Sequence, residues 1–104
     1  MHNSIAVSPD TFLMSSQETL PLAFDVADLL EDGETPSDAA ATLVQIDNGL
    51  DHVSGRPGTV QVNGTQLVQV VTQLTPRKRY RLSIRFTAGP SKTWAPFLYV
   101  ECPA

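Results

Sequence analysis

Residues 74–86 read Leu-Thr-Pro-Arg-Lys-Arg-Tyr-Arg-Leu-Ser-Ile-Arg-Phe, and this stretch decides the fold of the chain. From Tyr80 onward, apolar and polar residues alternate strictly. A β-strand sends successive side chains to opposite faces, so the apolar residues share one face and the arginines share the other. The apolar face consists of Tyr80, Leu82, Ile84 and Phe86. The stretch therefore predicts a half-buried antiparallel strand with a basic outer face.

The residues just before this strand predict a corner. Leu74 ends one strand, Pro76 turns the chain and Tyr80 opens the next strand. This spacing resembles the corner between strands E and F of fibronectin type III and related immunoglobulin-like domains. The resemblance implies that Tyr80 buries its ring and returns its hydroxyl to a backbone group of the corner. We therefore expect Leu74, Pro76 and Tyr80 to be structural residues.

Turn residues divide the rest of the chain into short segments. Asn48-Gly49 and Asn63-Gly64 predict two-residue hairpin turns, the first with a return arm at residues 50–53. Pro96 predicts that the last strand lies at an edge or switches sheets. The other predicted strands cover residues 4–8, 20–26, 39–47, 59–62, 65–72 and 92–102.

About seven regularly spaced strands in 104 residues predict one domain, residues 1–104. The fold class is all-β, an immunoglobulin-like antiparallel β-sandwich. Within it, residues 1–18 are expected to supply an edge strand or an arm that packs on a neighbour. The single cysteine, Cys102, excludes an intrachain disulfide and is expected to pack as a small apolar residue.

Charge is segregated along the chain. Residues 1–55 contain ten acids and no lysine or arginine, whereas residues 56–104 contain all seven bases and one acid. Either the halves neutralise each other within one molecule, or the molecule presents a bipolar surface to copies of itself or to a charged partner. Six of the acids lie in residues 25–38, here called the acidic segment: Asp25, Asp28, Glu31, Asp32, Glu34 and Asp38.

Within the acidic segment, Asp28 is predicted to cap a single helical or 3₁₀ turn that ends at Gly33. Such a charged loop is either simply solvated or forms part of a contact surface. The contact candidates in it are Asp28, Glu31 and Asp32.

A basic stripe follows the opening strand, and its interface candidates are Arg77, Arg79, Arg81 and Arg85. Nucleic acid is not the expected partner, because the whole chain carries a net charge of −4 and no aromatic is interleaved with the arginines on the same face. The stripe is either a solvated strand face or a protein contact. Arginine suits a protein contact because its planar guanidinium pairs with carboxylates.

The last strand carries more large apolar residues than one core face can hold. Alternation places Phe97 and Tyr99 opposite Leu98 and Val100, so one set is core and the other is either covered or exposed as an interface. This pattern predicts that the protein works in an assembly. An alternative of another class is a carbohydrate- or receptor-binding module in which Trp94 and Tyr99 form a stacking platform.

The sequence offers little catalytic or metal-binding chemistry. Asp51, His52 and Ser54 are residue types of a catalytic triad, but neighbours in sequence cannot take up the triad geometry. The acids of residues 25–34 do not follow an EF-hand pattern, and no phosphate-binding loop is present. We therefore predict no enzyme, no cofactor and no metal site. The N-terminus shows no secretory signal and no apolar run is long enough for a membrane span, so we expect synthesis in the cytoplasm.

Residues 22–39 carry a second resemblance, to small immunoglobulin-like virion proteins of tailed bacteriophages of the fibre-to-tail adaptor kind. The matching positions are Asp25 at the end of a strand, Leu29 or Leu30 as an apolar anchor, the triplet Gly33-Glu34-Thr35, and later Tyr80. The family often has tryptophans in the turn and in the following strand, where this chain has Asp28 and Ala41-Thr42.

The resemblance implies a non-enzymatic adaptor or connector between components of a virion that assembles in the bacterial host cytoplasm. Its expected partners are other virion proteins and copies of itself, with no nucleic acid and no membrane. A capsid decoration or cement protein is the alternative within the same class.

Overall fold

The computed structural model describes residues 11–104, so the strand predicted at residues 4–8 lies outside the described part. The described residues form eight strands and two short 3₁₀ turns, Ala27–Leu29 and Val53–Gly55. The strands are β1 (Thr11–Leu13), β2 (Leu20–Asp25), β3 (Pro36–Gln45), β4 (Gln61–Asn63), β5 (Gln66–Val71), β6 (Lys78–Ala88), β7 (Lys92–Trp94) and β8 (Phe97–Cys102).

The strands form two sheets, which confirms the predicted all-β sandwich. The five-stranded sheet has the order β1-β8-β6-β3, with β7 also paired to β6, and the three-stranded sheet has the order β2-β5-β4. All pairs are antiparallel except β1 with β8, which run parallel. Strand β1 is the last strand in this order and pairs only with β8, so Thr11–Leu13 is an edge strand of the five-stranded sheet. No helix within residues 11–104 is long and apolar enough to cross a membrane.

The core lies between the sheets and confirms the predicted inner face of β6. Tyr80, Leu82, Ile84 and Phe86 are all completely buried. Leu43 of β3 and Leu67 of β5 pack against them from both sheets. Burying apolar side chains of this size stabilises the fold by about 1.5–3 kcal/mol each.

The corner also has the predicted geometry. Leu74 is 4% exposed, and the Tyr80 hydroxyl accepts a hydrogen bond of 2.9 Å from the backbone N–H of Thr75. The His52 ring lies 5.5 Å from the Tyr80 ring, centroid to centroid. The corner thereby joins β5 of one sheet to β6 of the other, around a buried ring.

The first predicted hairpin is confirmed only in part: the chain turns back at Asn48-Gly49, and the backbone N–H groups of Gln45 and His52 donate to the carbonyls of Leu50 and Leu43, but the return arm is not a strand. Asp51 makes an isolated bridge to Val44, and the chain then turns into the 3₁₀ turn instead of a return strand. The cause is the Asp51 carboxylate, which accepts hydrogen bonds from the backbone N–H of Leu43 and from the Arg56 guanidinium and so folds the chain back. The second hairpin is confirmed, but Asn63 is its last strand residue and Gly64-Thr65 are its turn residues.

The prediction for Pro96 is wrong. Pro96 separates β7 from β8, but both strands pair with β6, and β8 lies between β6 and β1 instead of at an edge. The break costs little hydrogen bonding, because the Pro96 carbonyl still accepts from the backbone N–H of Ile84. Cys102 is fully buried, and this burial raises the pKa of its thiol.

Candidate protein interface

The pairing of β6 with β8 brings the basic stripe and the aromatic residues of the last strand onto one surface. Arg81 lies opposite Tyr99, and Ser83 lies opposite Phe97. Residues directly opposite each other in an antiparallel pair point to the same side of the sheet. We call this outer surface of the five-stranded sheet the arginine face, and it comprises Arg79, Arg81, Arg85, Phe97 and Tyr99.

The prediction that no aromatic shares the face of the arginines is therefore wrong. The aromatic residues come from the neighbouring strand, and the register between β6 and β8 cannot be read from either strand alone. The sequence did not indicate that three further residues lie on the arginine face. Val44 of β3 lies opposite Arg81, and Glu101 of β8 lies opposite Arg79. Ile46 follows the end of β3, and its backbone N–H donates to the Arg79 carbonyl. Ile46 remains 46% exposed, so the face presents apolar surface beside its charges.

The arginines cover the aromatic rings of the face. The Arg79 guanidinium carbon lies 4.3 Å from the Tyr99 ring centroid, and that of Arg81 lies 5.5 Å from the Phe97 centroid. The two rings meet edge to face at 5.7 Å. A guanidinium that stacks on a ring keeps its in-plane N–H groups free to pair with a carboxylate. The face therefore holds charged donors in fixed positions above an apolar base.

Only some of the bases are neutralised within the chain. Arg56 pairs with Asp51 at 2.6 Å, Lys78 pairs with Asp47 at 2.6 Å, and Lys92 contacts Glu31 and Glu34 at 3.1 and 3.0 Å. Every one of these pairs joins the acidic half of the chain to the basic half. Within residues 11–104, the remaining four bases make no salt bridge, and they are the interface candidates Arg77, Arg79, Arg81 and Arg85.

Two predicted interface residues lie away from the arginine face. Arg77 precedes β6 in a left-handed conformation with φ of 66°, and its backbone N–H donates to the Cys102 carbonyl at 2.6 Å. Trp94 pairs with the buried Phe86 and packs against the core. Trp94 and Tyr99 therefore lie on opposite faces of the sheet, and the predicted stacking platform for carbohydrate is not formed.

The acidic segment lies at the other end of the sheet. Pro36 pairs with Ala88 at the end of β6, and Lys92 reaches across to Glu31 and Glu34. Asp28 does not cap the 3₁₀ turn, because it lies inside it and Val26 holds the cap position. Asp25 instead accepts from the backbone N–H of Ala27 at 3.1 Å. The exposed acids there include the candidates Asp28, Glu31 and Asp32.

Glu34 fixes the shape of the acidic segment. Its carboxylate accepts a hydrogen bond from the backbone N–H of Glu31 at 2.8 Å and one from the Lys92 ammonium at 3.0 Å. These two contacts, the backbone one first, lower the pKa of Glu34 below its ordinary value. The turn is therefore held in place while Asp28 and Asp32, which make no salt bridge within residues 11–104, remain exposed.

The described residues also form concave surfaces. An open groove of about 550 Å³ lies between β1 and β2, with Phe12, Leu20 and Leu98 in its walls. A polar depression of about 370 Å³ lies beside Asp38 and Thr93. Across residues 11–104, no three His, Cys, Asp or Glu side chains come together in a way that could hold a metal ion.

Comparison of the chain with protein-family models, with curated proteins and with solved structures gives no match. A functional proposal therefore depends on the geometry of the arginine face and on the sequence pattern of residues 22–39.

Proposed function

We propose that this chain is a non-enzymatic structural protein of a tailed bacteriophage particle, an adaptor or connector that binds other virion proteins through its arginine face. The observation that carries the proposal is the pair of guanidinium groups that lie over Tyr99 and Phe97 and have no carboxylate partner within residues 11–104. Arginine and aromatic residues are enriched in the residues that dominate the energy of protein interfaces.

The face fits a carboxylate-bearing protein better than a nucleic acid. A base that stacks on a protein needs a free ring face, but the guanidinium of Arg79 already covers Tyr99. Glu101 lies opposite Arg79 and interrupts the positive charge of the face, so the face suits a few separate carboxylates better than a backbone with a charge on every phosphate. The overall charge of −4 also disfavours a nucleic acid, because it repels a polyanion at long range.

The virion part of the proposal draws on the residues that resemble the phage adaptor proteins. Strand β2 ends at Asp25, and Leu29 in the following 3₁₀ turn is 8% exposed and joins the core. Leu29 thus serves as the apolar anchor of the turn, and β3 begins one residue after Thr35. The anchored turn presents the exposed acids as a rigid surface, which suits a part that must join two larger components.

The test is to locate the chain in purified particles of the phage that encodes it. We expect mass spectrometry to find the chain in the particles, and we expect cross-links between Lys78 and a protein of the tail or the head-to-tail region. Lys78 precedes Arg79 at the start of β6 and lies on the other side of that strand, so a cross-link from it reports on a protein bound near the arginine face. Cross-links only to proteins of the capsid shell would show that the chain is a capsid decoration protein instead of an adaptor. Absence of the chain from the particles would overturn the whole proposal.

Variants then connect the particle to the arginine face. The double variant Arg79→Gln/Arg81→Gln should lower incorporation into particles at least about tenfold, as expected for the loss of about 1.4 kcal/mol of binding free energy. The matched control is Gln61→Glu/Gln66→Glu, which changes the net charge equally but lies on exposed positions of the three-stranded sheet. Equal incorporation of both variants would remove the arginine face from the proposal.

A further inference from the structure

Strand β6 separates Arg79 and Arg81, which make no salt bridge within residues 11–104, from the exposed Asp28 and Asp32. Arg79 lies at the start of this strand, and the acidic segment lies beyond its end at Ala88. Nine residue steps of a strand span about 30 Å. Arg79 and Arg81 therefore cannot reach Asp28 and Asp32 of their own molecule, which leaves these four side chains available to another molecule.

We propose that the arginine face binds the acidic segment of a second copy of this chain, in a head-to-tail contact. The inference rests on the proposed function, because it identifies the partner of the same face. Both halves of a complementary contact are present on the chain. One half is the exposed Arg79 and Arg81, which have no carboxylate partner in the described part of the chain, and the other is the exposed Asp28 and Asp32 on a turn that Glu34 and Lys92 hold. Complementary charge steers such an encounter and fixes its register.

The spacing of the donors favours this occupant. Arg79 and Arg81 are two residues apart on one strand face, so their Cα atoms lie about 7 Å apart. Each guanidinium can donate hydrogen bonds from its free edge to a carboxylate, which favours a partner with neighbouring carboxylates on an ordered backbone. The acidic segment has that form, because Asp28 lies in the 3₁₀ turn and Asp32 in the turn that Glu34 closes.

The contact is heterologous, because the two surfaces lie at opposite ends of the molecule. A two-fold dimer would instead place the same patch of both copies against itself. A head-to-tail contact leaves one free arginine face and one free acidic segment on every dimer. Copies can therefore continue to add, either to a closed ring or to an open filament.

The decisive experiment mixes two defective variants. Arg79→Gln/Arg81→Gln lacks the arginine face but keeps the acidic segment, and Asp28→Asn/Asp32→Asn has the opposite defect. All four residues are exposed, so both variants should fold: Asp28→Asn/Asp32→Asn should keep the thermal unfolding midpoint, and Arg79→Gln/Arg81→Gln should lower it only through the loss of two partly exposed cation–π contacts. In sedimentation at low salt, wild type should form a series larger than a dimer. Each variant alone should be monomeric, because its dissociation constant should rise about tenfold or more.

An equimolar mixture of the two variants should form a one-to-one dimer and nothing larger, because only one intact contact remains. High salt should dissolve this dimer. The control Gln61→Glu/Gln66→Glu should associate like wild type. A mixture that stays monomeric, or wild type that stays monomeric at low salt, would overturn the inference.

The two proposals can fail separately. A chain that is present in particles and cross-linked there to other proteins, but monomeric in sedimentation, keeps the proposed function and loses the head-to-tail contact. A chain that forms the mixed dimer but is absent from purified particles keeps the contact and loses the virion role. Binding of the wild type to single-stranded DNA with loss of that binding in Arg79→Gln/Arg81→Gln would overturn both readings of the face.

Discussion

Tyr80 shows how one residue links sequence to fold. Its ring is completely buried, and its hydroxyl accepts a hydrogen bond from the backbone N–H of Thr75 at the corner. Tyr80→Phe keeps the ring but leaves that N–H without its partner, so it should lower the free energy of unfolding by about 1 kcal/mol. Urea denaturation measures this change. Tyr99→Phe on the outer face is the control and should change it by less than about 0.5 kcal/mol. Equal changes in the unfolding free energy of the two variants would contradict a stabilising role for the Tyr80 hydroxyl at the corner.

Tyr99 has the opposite role from Tyr80, because its ring supports Arg79 on the outer face. Tyr99→Leu retains apolar cover for the strand but removes the aromatic face. The variant loses a partly exposed cation–π contact worth about 0.5–1 kcal/mol and the edge-to-face contact with Phe97, worth about 0.5–1.5 kcal/mol, so the unfolding free energy should fall by about 1–2 kcal/mol. The self-association constant at low salt should fall about two- to fivefold, as measured by sedimentation. Unchanged association would mean that Arg79 needs no ring to hold it.

The elements differ in how far the sequence predicts them. In β6 the alternation is strict, and every apolar residue that it assigns to the inner face from Tyr80 to Phe86 is buried. For this strand, the sequence pattern alone was therefore sufficient to predict which side faces the core. In β3, by contrast, the β-branched Thr42 and Val44 point outward, while Ala41 and Leu43 are buried. A register shift between Ser37 and Ala40 offsets the strand, and Asp38 there has a φ of 53°. Local residue types do not encode such a shift, because the partner strand decides it.

The candidate site was predictable in its parts but not in its arrangement. Periodicity identified the arginines and the aromatic residues, each on its own strand. The face exists only because Arg81 lies opposite Tyr99, and that register follows from how β8 resumes after the break at Pro96. The same reasoning explains why Trp94 was misplaced, since it belongs to β7 on the other side of the break.

The 3₁₀ turn Val53–Gly55 offers a test at the scale of an element. Gly55 is buried, and a methyl group on it would meet the His52 ring and would lie 2.9 Å from a Leu43 methyl carbon. His52 is held in place by its 2.7 Å contact between Nε2 and the Gln73 carbonyl. Gly55→Ala should therefore lower the free energy of unfolding by about 1–3 kcal/mol. Ser54→Ala, an exposed neighbour, should change little in the same urea titration, and similar stabilities of the two variants would contradict this packing.

At the scale of the whole molecule, the ion pairs connect the two halves of the chain. Arg56 lowers the pKa of Asp51 and Lys78 lowers that of Asp47. A carboxylate whose pKa is lower in the folded than in the unfolded state stabilises the fold above its ordinary pKa, and this contribution disappears as the pH falls through the folded value. Lys92 has the opposite sign: Glu34 raises its pKa, so its contribution is present below the ordinary value of 10.5 and disappears as the pH rises through the folded pKa.

These signs predict a plateau of stability with two limbs. The free energy of unfolding should be nearly constant between about pH 5 and pH 8 and should fall below about pH 4, where aspartate and glutamate take up protons. It should fall again at alkaline pH, first through Cys102, whose buried thiol has a raised pKa, and then through Lys92. The triple variant Glu34→Gln/Asp47→Asn/Asp51→Asn should have a lower plateau and a shallower acid limb in urea titrations at several pH values. Asp28→Asn/Asp32→Asn should keep the acid limb of wild type, because these two carboxylates make no salt bridge within residues 11–104. The opposite result would be a shallower acid limb for Asp28→Asn/Asp32→Asn and an unchanged one for the triple variant. It would mean that Asp28 and Asp32 stabilise the fold of their own molecule, and they would then not be available to bind a second copy.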